Sequence, residues 1–150
     1  MKRVMLGMAM ACALAGAGSM RAQQPDEREA VKAAVLDYVE AVYQAQPDRI
    51  QRSVHTDLAK RGYYRKSGEQ TFTSEPMTYQ QLFDLAGRWN KDGKRPLATY
   101  PKDVVVYDVL NQTATAKLTA MWGVDYMHLA KYDGKWKIVN ILWQETPAGK

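Results

Sequence analysis

The sequence predicts an α+β fold in which N-terminal helices pack on a curved antiparallel sheet, and two observations support this. Valines at positions 31, 35, 39 and 42 recur with the spacing of one face of a helix. Residues 103–144 form runs of alternating apolar and polar side chains, interrupted by three predicted tight turns. Together these patterns place the helices first and a four-stranded antiparallel meander last.

The first helix has clear start and stop signals. Asp26 precedes the valine pattern and Glu29 follows three residues later, which is the spacing of a capping box. Pro47 cannot continue a helix, so the helix is expected to end before it. Asp48 is then expected to cap a short second helix that runs through Val54.

The middle of the chain predicts a hairpin and a third helix. Residues 63–65 and 70–73 flank the turn-forming residues 66–69, so they are predicted to pair. Thr78 and Gln81 form a second capping box. The helix that follows is predicted to bury one apolar stripe, made of Leu82, Leu85, Ala86 and Trp89.

The register of the meander is predicted from its turns. Asp133-Gly134 is a strong signal for a two-residue hairpin, because both central positions of a type I′ turn need positive φ. It opposes Lys131 to Trp136, Leu129 to Ile138, and Met127 to Asn140. Turns at 123–124 and 111–112, inferred from pattern alone, oppose Trp122 to Asp125, Leu118 to Leu129, and Val105 to Leu118.

This register places one apolar layer on the sheet face that meets the helices. A one-residue slip would turn every side chain to the other face, so the agreement of three separate turns supports the layer. Its predicted members are Val105, Tyr107, Val109, Ala114, Ala116, Leu118, Ala120, Trp122, Met127, Leu129, Trp136, Ile138 and Leu142. Asp103, Asp125 and Asn140 join the layer near Trp122, whereas Lys131 joins it at the opposite end.

The outer face of the predicted sheet carries an apolar patch at one end. Apolar patches on an outer face usually mark a partner surface. We therefore expect a homodimer through this face, although the chain's own termini could cover the patch instead. The predicted members are Val104, Met121, Tyr126, Val139, Ile141 and Trp143.

The N-terminal residues have the layout of a secretory signal peptide. Lys2 and Arg3 precede an uncharged apolar run at 4–17, and small residues follow up to Ala22. The run is shorter than the roughly 20 residues that span a bilayer. Cleavage is expected after Ala22, with cleavage after Ala17 or an uncleaved anchor as alternatives.

Cleavage would leave residues 23–150 as a single domain, periplasmic or secreted, with no membrane association. Cys12, the only cysteine, leaves with residues 1–22, so the mature chain has no disulfide and no thiol nucleophile. Three of the 21 basic residues also leave, and the remaining 21 − 3 = 18 against 16 acidic residues give about +2 instead of +5. This balance predicts no nucleic-acid partner.

The residue types exclude several classes of site. With two histidines and no mature cysteine, a three-histidine zinc site cannot be built. The sequence contains no phosphate-binding loop, serine elbow or dinucleotide fingerprint. We therefore expect no metal and no cofactor.

Three segments carry a resemblance to a known family. They are residues 55–62 (HTDLAKRG), residues 120–131 (AMWGVDYMHLAK) and residues 133–140 (DGKWKIVN) followed by Trp143. With them the chain resembles the nuclear transport factor 2-like superfamily and, within it, the "putative lumazine-binding" family, over nearly all of residues 27–144. The resemblance implies a cone-shaped fold with a pocket for a flat heterocycle. Superfamily members bind small molecules, isomerise or dehydrate them, or act as scaffolds.

The predicted ligand-binding residues are Asp125, Asn140, Trp122, Tyr107 and Asp103. Asp125 and Asn140 are diagonal neighbours in the predicted register, within reach of one ligand. The alternatives are that Asp125 caps the nearby turn and Asn140 satisfies backbone groups. Tryptophans and Tyr107 could form a wall for a planar ring, although aromatic residues at this spacing also build ordinary cores.

Three functions stay open at this point. The first is binding of a small organic molecule in an apolar cone. The second is an isomerase or dehydratase, with Asp125 or a His55–Asp57 pair as base and Tyr107 stabilising an oxyanion. The third is a structural dimer whose cone is filled by its own side chains. A void below a few tens of Å³, hardly more than one water, would favour the third.

Overall fold

The computed structural model describes residues 26–146, so the predicted signal peptide lies outside the described residues. The helices are α1 (Glu27–Tyr43), α2 (Asp48–Ser53) and α3 (Tyr79–Arg88), with a short 3-10 turn at Leu97–Thr99. The strands are β1 (Val54–Tyr64), β2 (Thr73–Met77), β3 (Lys102–Val109), β4 (Thr113–Ala120), β5 (Gly123–Tyr132) and β6 (Lys135–Gln144).

The strands form one curved sheet in the order β2-β1-β6-β5-β4-β3, with the helices packed on its inner face. The predicted α+β class is confirmed. The sheet is mixed, however, because β1 pairs in parallel with β6 while all its other pairings are antiparallel. Parallel neighbours need a crossover connection, and here α3 and the meander together make it.

Local signals define the helix ends. The Asp26 side chain accepts a hydrogen bond from the backbone N–H of Arg28 at 3.0 Å. The predicted capping box of α3 is confirmed, since Thr78 and Gln81 satisfy each other's backbone N–H at 3.2 and 2.8 Å. α1 ends before Pro47, as predicted.

β1 differs most from its prediction. α2 was predicted to run through Val54, but a strand begins at that residue and continues to Tyr64. A hairpin is present, as predicted, but its loop is longer, and only Thr73 of the predicted second strand at 70–73 lies in β2, opposite Tyr64. The reason is tertiary: β1 pairs with β6 at Val54 and again from Ala59 to Tyr63, and β6 lies some eighty residues later in the chain.

The Asp133-Gly134 turn is confirmed, with positive φ at both residues. It opposes Leu129 to Ile138 as predicted, but an extra residue in β6, Val139, then shifts the register by one. Met127 consequently faces Ile141 and not Asn140. The register predicted beyond this bulge is wrong.

Of the other two predicted turns, one is present and one is displaced by two residues. The 111–112 turn is confirmed by the pairing of Val109 with Ala114, but a bulge at Tyr107 brings Val104, not Val105, opposite Leu118. The next turn consists of residues 121–122, not 123–124, so Leu118 faces Asp125. The displaced turn shifts the pairing of β4 with β5 by an even number of residues, and every side chain of these strands therefore keeps its predicted face.

The inward direction predicted for Leu118, Leu129 and Ile138 is confirmed, although Leu118 faces Asp125 on the neighbouring strand and not Leu129. Leu118, Leu129 and Ile138 are each at most 1% exposed. Beyond the two bulges the faces exchange, so three predicted inner residues are 46–53% exposed and three predicted outer residues lie on the inner face. The exposed residues are Val105, Tyr107 and Leu142, and the inner ones are Val104, Ile141 and Trp143.

Candidate functional site

An apolar cavity of about 190 Å³ lies between the helices and the inner sheet face, at the end of the sheet near the turn at 121–122. Its walls are formed by residues of α1, α3, β1, β2 and β6 and of the turn at 121–122. The lining residues are Tyr38, Val42, Lys60, Met77, Leu82, Leu85, Trp89, Trp122 and Trp143. Three members of the predicted α3 stripe are among them.

Lys60 is the charged residue of this lining. Parallel pairing places it beside Ile141, on the inner face of the sheet. Its side chain is 8% exposed, and Nζ lies 2.6 Å from the Tyr38 hydroxyl oxygen. A lysine in such surroundings is uncommon, because burial of an unpaired ammonium is costly.

Asp125 lies next to this lysine and is fully buried. Its Oδ2 accepts a hydrogen bond from Trp122 Nε1 at 2.8 Å. Its Oδ1 lies 3.9 Å from Lys60 Nζ and has no hydrogen-bond partner among the described residues. The carboxylate therefore bonds to an indole and does not cap the turn, and one oxygen keeps its full accepting capacity.

Burial opposes charge on all three polar groups of the cluster. It raises the pKa of Asp125, against the attraction of Lys60 and the Trp122 hydrogen bond. It lowers the pKa of Lys60, against the attraction of Asp125. It also raises the pKa of the Tyr38 hydroxyl well above its ordinary value. Both the carboxyl and the amine are thus displaced toward their neutral forms, as is common for acid–base groups at functional sites.

Aromatic rings hold Trp122 in place. Its ring meets those of Tyr38, Tyr43 and Trp89 in edge-to-face arrangements, with centroids 6.2, 5.4 and 6.4 Å apart. Such contacts add to the stabilisation from burial. The indole N–H is therefore fixed toward Asp125.

Trp143 forms the wall beside β1 and depends on a glycine. It pairs with Gly62, where a Cβ atom would lie 2.4 Å from Trp143 Cε3. Only a residue without a side chain lets the indole pack flat on the strand at this position. Its Nε1 is buried and has no hydrogen-bond partner among the described residues.

The predicted site residues separate into two groups. Trp122 and Asp125 lie together, as predicted. Asn140 is on the outer face, 3.1 Å from His128 Nδ1 and donating to the Ala59 carbonyl at 2.9 Å, so its predicted position beside Asp125 is wrong. The Val139 bulge is the cause.

Asp103 and Tyr107 are exposed and outside the cavity lining. A ligand-binding role for these two residues and for Asn140 stays a prediction. The His55–Asp57 pair lies on a strand and not at a helix end, and the His55 ring stacks on Tyr132 at 4.2 Å.

Sequence reasoning missed Lys60, Tyr38 and Trp143 as pocket residues. Lys60 belongs to the segment that carries the family resemblance, which was the one available signal. A lysine normally indicates a solvated face, and neither its parallel neighbour β6 nor Tyr38 is close to it in sequence. Trp143 was predicted to lie on the outer face, because the sequence does not indicate the bulge at Val139.

Two kinds of feature are absent from residues 26–146. No group of three or more His, Cys, Asp or Glu side chains there could hold a metal ion. No helix in the same residues combines the length and apolar character needed to cross a membrane.

Known proteins match this chain as follows. The family described as "Putative lumazine-binding" matches residues 26–144. A nuclear transport factor 2-like protein from Methylobacillus flagellatus is 20% identical with a TM-score of 0.59, covering 82% of this chain and 94% of its own. One from Silicibacter pomeroyi is 16% identical with a TM-score of 0.56, covering 77% and 92%. A protein named "Putative Scytalone Dehydratase" from Novosphingobium aromaticivorans is 11% identical with a TM-score of 0.50, covering 83% and 94%. No curated protein matches the chain.

Proposed function

The chain belongs to the family described as "Putative lumazine-binding", and on that premise we propose that it binds a small, planar organic molecule in the inner cavity. One observation carries the proposal: Lys60 and Tyr38 line an otherwise apolar cavity, and the Asp125 carboxyl, buried outside this lining, lies next to Lys60 with Oδ1 3.9 Å from Nζ. Apolar pockets with a few converging polar groups are typical of ligand sites.

The size of the cavity limits the ligand. A volume of about 190 Å³ is below the roughly 300–1,000 Å³ of drug-sized sites. It is nevertheless about six times the volume per water molecule in the liquid, which is about 30 Å³. This supports a ligand of one or two rings over a cone filled entirely by its own side chains.

The polar cluster limits the ligand's chemistry. Lys60 and the Tyr38 hydroxyl can donate hydrogen bonds, whereas Asp125 Oδ1 can accept one or, when protonated, donate one. A ring with a carbonyl oxygen beside an N–H or O–H would satisfy these groups. Lumazine, a bicyclic dione with ring N–H groups, has these features and is the natural first probe.

Titration of the protein with lumazine, followed by calorimetry and by thermal unfolding, tests the proposal. We expect saturable binding and a raised unfolding temperature in the wild-type protein. Asp125→Asn should weaken binding by about tenfold, since loss of the charge on an accepting group costs about 1.5 kcal/mol. Glu27→Gln, at the opposite end of the sheet, is the matched control and should bind normally.

Equal affinity of the two variants would remove Asp125 from the site. If lumazine fails to bind, native mass spectrometry of protein purified from its own host searches for a retained small molecule. Protein that carries no such molecule, and is stabilised by no compound in a panel of small planar carbonyl heterocycles, would contradict the proposal.

A second candidate is an acid–base enzyme acting in the same cavity. Its supporting observation is the unpartnered Oδ1 of Asp125, on a carboxyl whose pKa burial raises. A carboxyl with a pKa nearer neutrality is suited to proton transfer. Exchange of ligand C–H protons in deuterium oxide, present in the wild type and absent in Asp125→Asn, would establish it.

Two further predictions concern the partner and the compartment. The proposed homodimer surface includes Val105, Tyr126 and Leu142, which are 46–52% exposed and lie in one row across the outer face, with Lys117 between Val105 and Tyr126. A monomer mass by light scattering at micromolar concentration would contradict the dimer. For the compartment, mature protein beginning at Gln23 in a periplasmic fraction is the expected result.

A further inference from the structure

We infer that Lys60 forms an imine with a small aldehyde or ketone that enters the cavity, and that Asp125 transfers the protons this requires. The inference rests on the proposed function, because the cavity must first admit a ligand. It goes further by giving that ligand a reactive carbonyl group and the cavity a covalent step.

The position of Lys60 is the first argument. It is the lysine of the cavity lining, and its side chain is 8% exposed among aromatic and aliphatic neighbours. An amine held against an apolar cavity meets a bound carbonyl group at high effective concentration and with little competing water. An exposed lysine has neither advantage.

The protonation state of the amine is the second argument. Only the unprotonated amine attacks a carbonyl, and desolvation in a hydrophobic pocket is one way to produce it at neutral pH. Burial displaces the pKa of Lys60 in that direction. Burial and Lys135 also lower the pKa of Lys137, but Lys137 lies outside the cavity lining and donates to the Gln51 carbonyl.

The neighbouring carboxyl is the third argument, and with it the step balances. Lys60 Nζ bonds to the carbonyl carbon, and the carbonyl oxygen takes the proton of the Asp125 carboxyl. The new C–N nitrogen returns a proton to the carboxylate, which leaves a neutral carbinolamine. Asp125 then protonates the hydroxyl group, water leaves, and the nitrogen lone pair completes an iminium ion whose counterion is the carboxylate.

The geometry fits these transfers. Asp125 Oδ1 lies 3.9 Å from Lys60 Nζ, beyond a direct hydrogen bond. Asp125 is buried outside the cavity lining, so it can meet only an atom held close to Lys60. The carbinolamine hydroxyl would be such an atom, two bonds from Nζ, and Oδ1 has no other partner among the described residues. The second oxygen is held by Trp122, which fixes the plane of the carboxyl group.

Reductive trapping tests the inference with benzaldehyde as the probe. The protein is incubated with benzaldehyde and cyanoborohydride, which reduces an imine to a stable amine, and the adduct is mapped by peptide mass spectrometry. We expect Lys60 to be labelled at least tenfold faster than Lys131 or Lys137 in the same molecule. Uniform labelling of the three lysines would overturn the inference, and this readout needs no variant.

Variants and a second probe complete the test. Lys60→Met should lose the preferred adduct while Lys131→Met keeps it, and Asp125→Asn should slow labelling about a hundredfold. Benzyl alcohol, which has no carbonyl group, is followed by tryptophan fluorescence. Saturable binding of benzyl alcohol without preferred Lys60 labelling would overturn the imine and leave the proposed function standing. Absence of both binding and labelling would count against both.

Discussion

At each end of the inner sheet face, an acidic residue, a lysine and a tryptophan lie together, in different surroundings. At one end Glu27 accepts from Trp136 Nε1 at 2.7 Å and pairs with Lys131 Nζ at 2.7 Å. At the other end Asp125 accepts from Trp122, but its lysine stays 3.9 Å away. We refer to these as the Glu27 trio (Glu27, Lys131 and Trp136) and the Asp125 trio (Asp125, Lys60 and Trp122).

The trios differ in burial and in how completely their groups are paired. Glu27 is about half exposed, and its hydrogen bond to Lys131 lowers its pKa. Asp125 is fully buried, and burial raises its pKa. Where the acid is half exposed, it is paired with both the lysine and the tryptophan. Where it is fully buried, one carboxylate oxygen keeps unused hydrogen-bonding capacity among the described residues. The second arrangement is the one that a ligand can complete.

Removal of the lysine from each trio gives the largest expected contrast. Lys60→Met leaves Asp125 buried without a cation, so the free energy of unfolding at pH 7 should fall by about 3 kcal/mol. Lys131→Met should change it far less, because its partner stays in water. Urea denaturation of both variants measures the difference, and equal losses would remove the distinction between the trios.

A methyl group added at Gly62 tests the cavity wall that Trp143 forms beside the Asp125 trio. The new Cβ in Gly62→Ala would overlap the Trp143 ring, and overpacking of this kind costs about 2 kcal/mol. Movement of the ring should also weaken lumazine binding and shift tryptophan fluorescence. Gly87→Ala, where a Cβ would lie 3.6 Å from Pro47 in ordinary van der Waals contact, controls for the added methyl group and should bind lumazine normally.

Replacement of the tryptophan in each trio sharpens the comparison further. Trp122→Phe removes the hydrogen bond to Asp125 and should cost about 1.5 kcal/mol beyond the lost ring area, because the buried oxygen finds no water. Trp136→Phe removes a bond to Glu27, whose oxygen water can reach, and should show less of this additional loss. Thermal unfolding of the two variants, with Tyr38→Phe as a further reference, makes the measurement.

The smallest expected effect concerns pH: the contributions of the two carboxyl groups to the free energy of unfolding should change with pH in opposite directions. The folded-state pKa of Asp125 is raised above 3.8, so its contribution to stability is greatest at low pH and is lost as pH rises through the folded-state value. The pKa of Glu27 is lowered below 4.5, so its contribution is present above pH 4.5 and is lost as pH falls through the folded-state value.

These pH dependences are measured against matched variants. From pH 7 toward pH 4, the wild type should gain stability relative to Asp125→Asn. Over the range from pH 5 to pH 3, it should lose stability relative to Glu27→Gln. Parallel curves for the two comparisons would show that the carboxyl groups experience similar surroundings, contrary to the structure.

How far the sequence predicted this molecule depends on the range of the interactions. Capping at Thr78 and the turn at Asp133-Gly134 act within a few residues, and both predictions are confirmed. The register failed at Val139 and Tyr107, because alternation indicates which face a residue occupies only until an unmarked extra residue intervenes. For that reason Asn140 lies on the outer face and not in the predicted site, whereas Trp143 lines the cavity.

The amino-acid sequence by itself determined the α+β class, the helix starts, the inward direction of Leu118, Leu129 and Ile138, and the adjacency of Trp122 and Asp125. These follow from periodicity and from contacts between near neighbours in the chain. Tertiary structure alone decided that β1 lies parallel to β6, which brings Lys60 to Asp125, and that α1 places Tyr38 beside Lys60. The physical reason is burial: a lysine is charged and solvated in an open chain, and only the folded surroundings remove the water that keeps it so.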